Sequence, residues 1–386
     1  MFLLAPLPFL VVLYAWATAS FPWCARHRRG VAGTIACLWL VQVAAHLLSH
    51  ANHPSSFLRL IVELVLVPVV FAAMPITLLR LGSWVVGRVA ALRAAAAGVP
   101  LASPAEGRGM SRRQAVEAAG GIALFGATGT MLGWGMVRGR HAFELSEVPI
   151  RIEGLPRVLD GYCIAQVSDI HAGDYVGDRE LDEGLSLVRA ARPDLVVVTG
   201  DIVDFDADRA RGVARRLIDL APRDGVAAVL GNHDYYADPY EVTAAMRAAG
   251  IDMLVDEGRV IRPADGGGFA LLGVDDKWST RYGRWGPRLG VARAMVPPGL
   301  ARILLSHQPQ TVDGWAGQVA LQLSGHTHGG QINPGFRPAD IVLKYVSGLY
   351  RVGGTALYVN RGFGTVATPA RIGAPPEVTR FVLVAA

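Results

Sequence analysis

The chain has 386 residues, of which 52% are hydrophobic and only 18% charged, and its mean hydropathy is +0.33. This excludes intrinsic disorder, and it is too little charge for a wholly water-soluble chain, which averages about 25%. The net charge of +5 divides unevenly: residues 1–141 hold twelve Arg and three Glu with no Lys or Asp, a net of +9, which leaves −4 for the rest. The basic excess lies beside apolar segments. There it reads as a membrane-topology signal, and no specific nucleic-acid binding is expected.

Four apolar segments predict an all-α transmembrane domain over residues 1–141. Residues 2–20 are uncharged and long enough to span a bilayer. Residues 31–48 form the second span. Residues 60–79 form the third, with Glu63 near one end and Pro68 and Pro75 inside, where neighbouring helices satisfy the freed backbone groups. Residues 118–137 form the fourth, Gly- and Ala-rich, with Gly129 and Gly133 spaced for close helix packing. Arg26, Arg28 and Arg29 occupy the first loop, and Arg88, Arg93, Arg108, Arg112 and Arg113 the third; the second has none. The positive-inside rule then places the bilayer-embedded chain in the cell (inner) membrane with everything after residue 140 on the outer face. Without the fourth span that region is cytoplasmic, and Arg138 and Arg140 weigh on that side. Ser111-Arg112-Arg113-Gln114 resembles a twin-arginine export signal, although it is internal and is followed by Ala115 and Val116. Two ordinary inside arginines account for it equally. His46, His50, His53 and Glu63 fall at or beside span ends and read as interfacial. Cys24, Cys37 and Cys163 are too few for a disulfide framework.

From Ala142 the pattern changes to a soluble α/β domain over 142–386. Strands are expected at 163–168, 195–199 and 226–230, with helices at 178–192, 206–220 and 239–250 between and after them. Further strands follow at 269–274, 303–306, 321–324, 356–360 and 380–384. The polar clusters fall just after strand ends, the edge at which open α/β sheets collect ligands. They are Asp169-x-His171, Gly200-Asp201, Gly231-Asn232-His233-Asp234, His307 and Gly325-His326-Thr327-His328. All five histidines of this domain lie in these clusters, which points to imidazoles used as metal ligands. Asp, Asn and His without Cys suit Mn, Fe, Zn or Co. Seven plausible ligands exceed the needs of one tetrahedral zinc and fit two divalent metal ions sharing a carboxylate. Such a pair makes a bridging hydroxide nucleophile at neutral pH and clamps a phosphoryl group.

Together with Asp204, these five blocks resemble those of the calcineurin-like metallophosphoesterases, in order and spacing, over roughly residues 155–386. The runs 325–331 (GHTHGGQ) and 231–236 (GNHDYY) resemble the YkuE-like branch, which includes membrane-associated phosphoesterases and relatives that cleave the UDP-diacylglucosamine pyrophosphate bond. The resemblance implies a four-layer αββα sandwich following the transmembrane domain of about four helices. It implies that Asp169, His171 and His328 hold one metal, that Asn232, His307 and His326 hold the other, and that Asp201 bridges both. It implies catalytic roles for His233, which protonates the leaving oxygen, and for Asp204, which orients His233; a helix N-cap is the alternative for Asp204. Asp234 is expected to support the ligands from behind.

The expected function is a membrane-anchored metallophosphoesterase acting on a lipid-linked or envelope phosphodiester or pyrophosphate. The alternative is a metal-binding sensor or regulatory membrane protein without turnover. Asp275, Asp276, Trp278, Tyr282, Trp285, Tyr345, Tyr350 and Arg361 lie where substrate loops are expected. The aromatic members read as packing residues, and Arg361 is a candidate phosphate contact.

Overall fold

A computed structural model describes residues 7–50, 76–78, 81–97, 112–261 and 267–386. Contacts divide the chain into two units, Met1–Gly133 and Trp134–Ala386.

The described part of the first unit is helical: α1 (Leu7–Ser20), α2 (Pro22–Arg26), α3 (Arg28–His50), α4 (81–96) and the start of α5 (Arg112–Val137). Pro22 opens α2 at a position where the missing N–H costs no intrahelical bond. The span expected at 60–79 lies, apart from 76–78, outside the described residues. Among the described residues one helix is long and apolar enough to cross a bilayer. It is Gln114–His141, 28 residues, with only 22% of its apolar window buried. The apolar part of α1, Leu10–Ser20, is shorter. Among the described residues one of the four expected spans, 118–137, thus falls on a helix of that kind. Among the described residues of the first unit it comes close to another helix at Gly121, where a Cβ would come within 2.2 Å of the Trp16 ring. Gly129 and Gly133 have no described atom within 4 Å.

The second unit is built on two six-stranded mixed sheets. The first has the order β1-β12-β2-β3-β4-β5, formed by Glu144–Ile152, Glu377–Ala385, Cys163–Val167, Leu195–Thr199, Val226–Val229 and Asp252–Met253. The second has the order β10-β11-β9-β8-β7-β6, formed by Gly348–Val352, Thr355–Val359, Leu321–Ser324, Arg302–Leu305, Phe269–Gly273 and Glu257–Ile261. Strands β2, β3, β4 and β5 run parallel, as do β7, β8, β9 and β11. The central strands are buried throughout and mostly apolar, both faces being covered; the buried polar exceptions, such as Gln166 and Gln322, are hydrogen-bonded. Alternate residues serve different layers. Ile164, Leu195, Val197, Ala227 and Val229 meet Phe269, Leu271, Ile303, Leu305, Leu321 and Leu323 between the sheets. Ala165, Val167, Val196, Val198, Val226 and Ala228 face the other way, under Leu181, Leu185 and Val188 of α6 (Asp178–Ala191), Val213 and Leu217 of α7 (Ala210–Ile218) and later helical residues. Each such buried Val, Leu or Ile contributes about 1.5–3 kcal/mol. The outer face of the second sheet is covered by Leu289 and Ala292 of the helix Leu289–Ala294.

Strand β1 was not expected. Charges and Pro149 break its hydrophobic run, yet it pairs in parallel with β12 at the sheet edge, where proline is tolerated. The helix expected at 206–220 is a 3-10 turn, Ala207–Arg209, capped by the Asp206 side chain, followed by α7.

Arg361, the candidate phosphate contact, is used structurally. Its Nε donates to Glu377 at 3.0 Å and its Nη2 to Glu144 at 2.9 Å. Glu377 also accepts from the Arg361 backbone N–H and from Tyr358 Oη at 2.5 Å. Burial alone would raise the Glu377 carboxyl, but the Arg361 charge and these bonds hold it below the usual range. A depressed folded-state pKa means that the stabilisation is present above the ordinary glutamate range and is lost as pH falls through the folded value. Glu377→Gln is expected to destabilise the second unit by about 3 kcal/mol at neutral pH, read from the urea midpoint, and to remove part of its acid sensitivity. An unchanged midpoint would contradict this.

Candidate metal centre

The loops after β2, β3, β4, β8 and β9 converge at one rim. The first two are zipped together: Asp169 N–H donates to the Gly200 carbonyl at 3.0 Å, and His171 N–H to the Asp201 carbonyl at 3.0 Å. Asp169, His171, Asp201, His326 and His328 all adopt left-handed backbone, with φ of 51°, 50°, 52°, 73° and 52°. Each costs of order 1–3 kcal/mol, strain that a fold retains where side chains must be aimed at a site. The glycines permit close approach. At Gly231 a Cβ would lie 2.2 Å from Asp201 Oδ1, and at Gly325 one would lie 2.2 Å from Asp169 Oδ2.

Three groups of donor atoms come together, each within 4.8 Å: Asp169, His171 and His328; His171, Asp201 and His233; and Asp201, His307 and His326. Asp201 Oδ2 lies 3.5 Å from His171 Nε2 and 3.3 Å from His307 Nε2, between the two sides. Its Oδ1 accepts the His233 backbone N–H at 2.7 Å. Asn232 Oδ1 is 3.2 Å from His307 Nε2. His328 Nε2 is 3.4 Å from Asp169 Oδ1. Asp234 accepts backbone N–H groups of Gly231, Ile202 and Val203, tying the loops behind the site together.

The donor set fits divalent metal. His171 Nε2 and His328 Nε2 stand 3.1 Å apart, and His326 Nδ1 and His307 Nε2 3.2 Å apart. Ring nitrogens aimed at each other this closely need a shared proton or a shared cation. His307 Nδ1 faces the Thr199 carbonyl at 2.8 Å, which fixes the proton there and turns the Nε2 lone pair inward. Burial and the neighbouring His307 push His326 down to about 3, keeping its imidazole in the neutral, ligating form. Burial would also lower His307, but Asp201 and Asp169 raise it well above the ordinary value: the buried carboxylates call for positive charge, which divalent ions would supply.

His233 differs from the other four. Its Nδ1 lies 2.9 Å from Asp204 Oδ1, and its ring stands edge-on to His171 at 4.5 Å. Burial lowers its pKa, but the bond to Asp204 and the charge of Asp201 outweigh this and leave it raised. Burial raises the Asp204 carboxyl, but bonds with His171 and His233 bring it down to about 2. The nearby N-cap is Asp206, not Asp204. Phe205 and Tyr236 flank His233 with ring centroids at 5.3 and 4.8 Å, and Trp278 meets Tyr236 edge-on.

Of the other residues singled out from the sequence, Asp276 accepts from Gln308 Nε2 at 3.1 Å, and burial raises it to about 6 against the opposing charge of His307. Asp275 accepts from Tyr235 Oη and pairs with Arg284. Tyr282 packs on Tyr235, Tyr345 on Tyr350, and Trp285 is exposed. Sequence reasoning missed Arg371. This fully buried guanidinium donates to the carbonyls of Arg361, Gly364 and His328 and lies 3.2 Å from His328 Nδ1. Burial brings it down to about 9. A lone Arg between Ala370 and Ile372 gave no signal.

The sequence profile for Calcineurin-like phosphoesterase matches residues 163–330. A zebrafish (Danio rerio) "Transmembrane protein with metallophosphoesterase domain" is 34% identical over 266 residues, covering 66% of this chain and 61% of that protein. The chain thus spans about three fifths of that relative. The "Uncharacterized metallophosphoesterase YkuE" of Bacillus subtilis (strain 168) is 33% identical over 287 residues, covering 71% of this chain and 98% of that protein. A metallophosphoesterase of Campylobacter jejuni is 32% identical over 238 residues, covering 61% and 62%.

Proposed function

The chain belongs to the calcineurin-like phosphoesterase family, and on that premise we propose that it is a membrane-anchored phosphohydrolase working with two divalent metal ions. The observation that carries this is Asp201, whose carboxylate stands between two clusters of imidazole and carboxylate donors. Asp169, His171 and His328 would hold one ion and Asn232, His307 and His326 the other, with Asp201 shared. Ions there would supply Lewis-acid charge to the phosphoryl oxygens and lower the pKa of water to near neutrality.

The chain's own residues supply the proton and the setting. Asp204 fixes His233 by its Nδ1, which leaves Nε2 to donate a proton to the leaving oxygen. The raised His233 pKa favours the protonated form that this step needs. Phe205 and Tyr236 limit water around the imidazole. Residues 1–141 are assigned to membrane anchoring and 142–386 to phosphoester hydrolysis. A chain held at a bilayer meets lipid-linked or envelope phosphodiesters and pyrophosphates in two dimensions, which favours that substrate class. The arginine distribution with four spans supports an outer-face catalytic domain. A reporter fused after Ala386 that is active only in the cytoplasm would contradict that orientation.

Chelation is expected to abolish hydrolysis of aryl phosphate esters by the full chain in detergent, and Mn²⁺ is expected to restore it. Undiminished turnover by protein shown to be metal-free would overturn the reading.

A further inference from the structure

The segment that follows the His326–His328 motif leaves the rim as an ordered, apolar-tipped loop. Its base is fixed at Ile332, which bridges Ile372, and by Thr327 Oγ1, which donates to the Val346 carbonyl at 2.5 Å. Within the loop Arg337 Nε donates to Asp340 at 2.8 Å and Nη1 to Ser347 Oγ at 2.6 Å, and a 3-10 turn spans Pro338–Ile341. This internally bonded loop nevertheless exposes Phe336 at 62% and Ile341 and Val342 at 79% each. Leu343 and Leu349 add to the patch. Apolar side chains held out on a rigid loop mark an interaction surface.

The same unit contains the end of the apolar helix, Trp134–His141. The Gly135 carbonyl accepts the Arg371 N–H at 3.2 Å, and Gly139 lies against the Arg371 carbonyl. Ile372 N–H donates to the Gln331 carbonyl at 2.9 Å, and Asn333 N–H to the Ile372 carbonyl at 2.8 Å. The helix end, the Arg371–Ile372 segment and the root of the loop are thus joined in one hydrogen-bonded chain. The helix end itself exposes Trp134, Val137 and Arg138, the aromatic and basic residue types that anchor a helix at a bilayer surface.

We propose that the loop 334–343 is a bilayer-docking element, whose Phe336, Ile341, Val342 and Leu343 enter the boundary between headgroups and acyl chains of the membrane in which the Gln114–His141 helix is anchored. The docking rests on the membrane reading of that helix and is independent of turnover; the substrate class it selects rests also on the hydrolase reading proposed above. Docking there sets the metal centre against the lipid surface, because the loop begins and ends at the segment that carries His326 and His328. The substrate class it selects is a phosphoester whose headgroup is presented at a bilayer surface.

The test uses the full chain with Cys24→Ser and Cys37→Ser, Cys163 being buried. A spin label is placed at Ile341→Cys, at Asp208→Cys as an aqueous control and at Ile122→Cys as a helix reference, in vesicles of phosphatidylethanolamine and phosphatidylglycerol. The expected result is that the labels at 341 and 122 both collide more with oxygen than with a water-soluble nickel chelate, while the label at 208 does the reverse. A lipid-embedded label at 122 with an aqueous label at 341 overturns the docking proposal and leaves the membrane reading standing. A label at 341 shielded from both probes shows a protein contact and also overturns it. Aqueous labels at both 341 and 122 remove the membrane reading together with the proposal.

Discussion

Asp201→Asn is expected to lose at least one metal ion per chain and to lower kcat/KM by roughly 10³-fold or more, which is about 4 kcal/mol of transition-state stabilisation. Asparagine keeps the shape of the side chain and can still accept the His233 backbone N–H, so the loop geometry is retained. It removes the negative charge. An amide nitrogen at the Oδ2 position would also direct a donor into the space between His171 Nε2 and His307 Nε2, where an acceptor stands 3.5 and 3.3 Å away. The buried imidazoles then lose the carboxylate that both sides share. Metal content measured by mass spectrometry beside steady-state kinetics checks both parts. A variant that keeps two ions and near-normal turnover would contradict the bridging assignment.

His233→Ala is expected to keep its metal and lose turnover. The loss should be about 10²–10⁴-fold for esters with poor leaving groups, which need a proton, and much smaller for a dinitrophenolate ester, which does not. Asp204→Asn should fall between, at roughly 10–100-fold, because it disturbs the aim and charge of His233 without removing the ring. The leaving-group dependence separates proton donation from metal binding. His233 also sits within reach of His171 and Asp201 as a possible third donor, so the distinction has content. If His233→Ala released metal as fully as Asp201→Asn, His233 would be reassigned as a ligand.

The centre was legible because each donor follows a strand end in sequence. Val167, Thr199 and Val229 close β2, β3 and β4, and within a few residues each is followed by polar residues that have no place in a packed strand. The central strands were legible for a related reason: a run such as 195–199 (LVVVT) is apolar only when both faces are buried. The edges were not. Strand β1 carries Glu144, Glu147, Arg151 and Pro149 and pairs with residues more than 220 positions later, so neither local pattern nor short range reveals it. Arg371 was invisible because what defines it is the set of carbonyls around it, assembled from distant segments. In the membrane region, hydropathy marks which stretches are apolar but not which glycine meets a neighbour. Gly121 meets Trp16 across more than 100 residues, and the regular spacing of Gly129 and Gly133 carries no such contact with a described atom. Arg361 misled for the opposite reason: a strand-end arginine looks free until Glu377 and Glu144 arrive from other strands.

The central claim is a dinuclear hydrolase, and the most direct measurement is turnover of an aryl phosphate diester, with the matching monoester, as metal is titrated back into the stripped full chain. The account predicts that at least one of the two esters is hydrolysed and that activity rises until two equivalents of Mn²⁺ per chain are bound, with little turnover at one. A plateau at one equivalent would contradict the two-ion centre. Two ions bound with no hydrolysis of either ester would contradict the hydrolase itself and leave a metal-binding membrane protein without turnover.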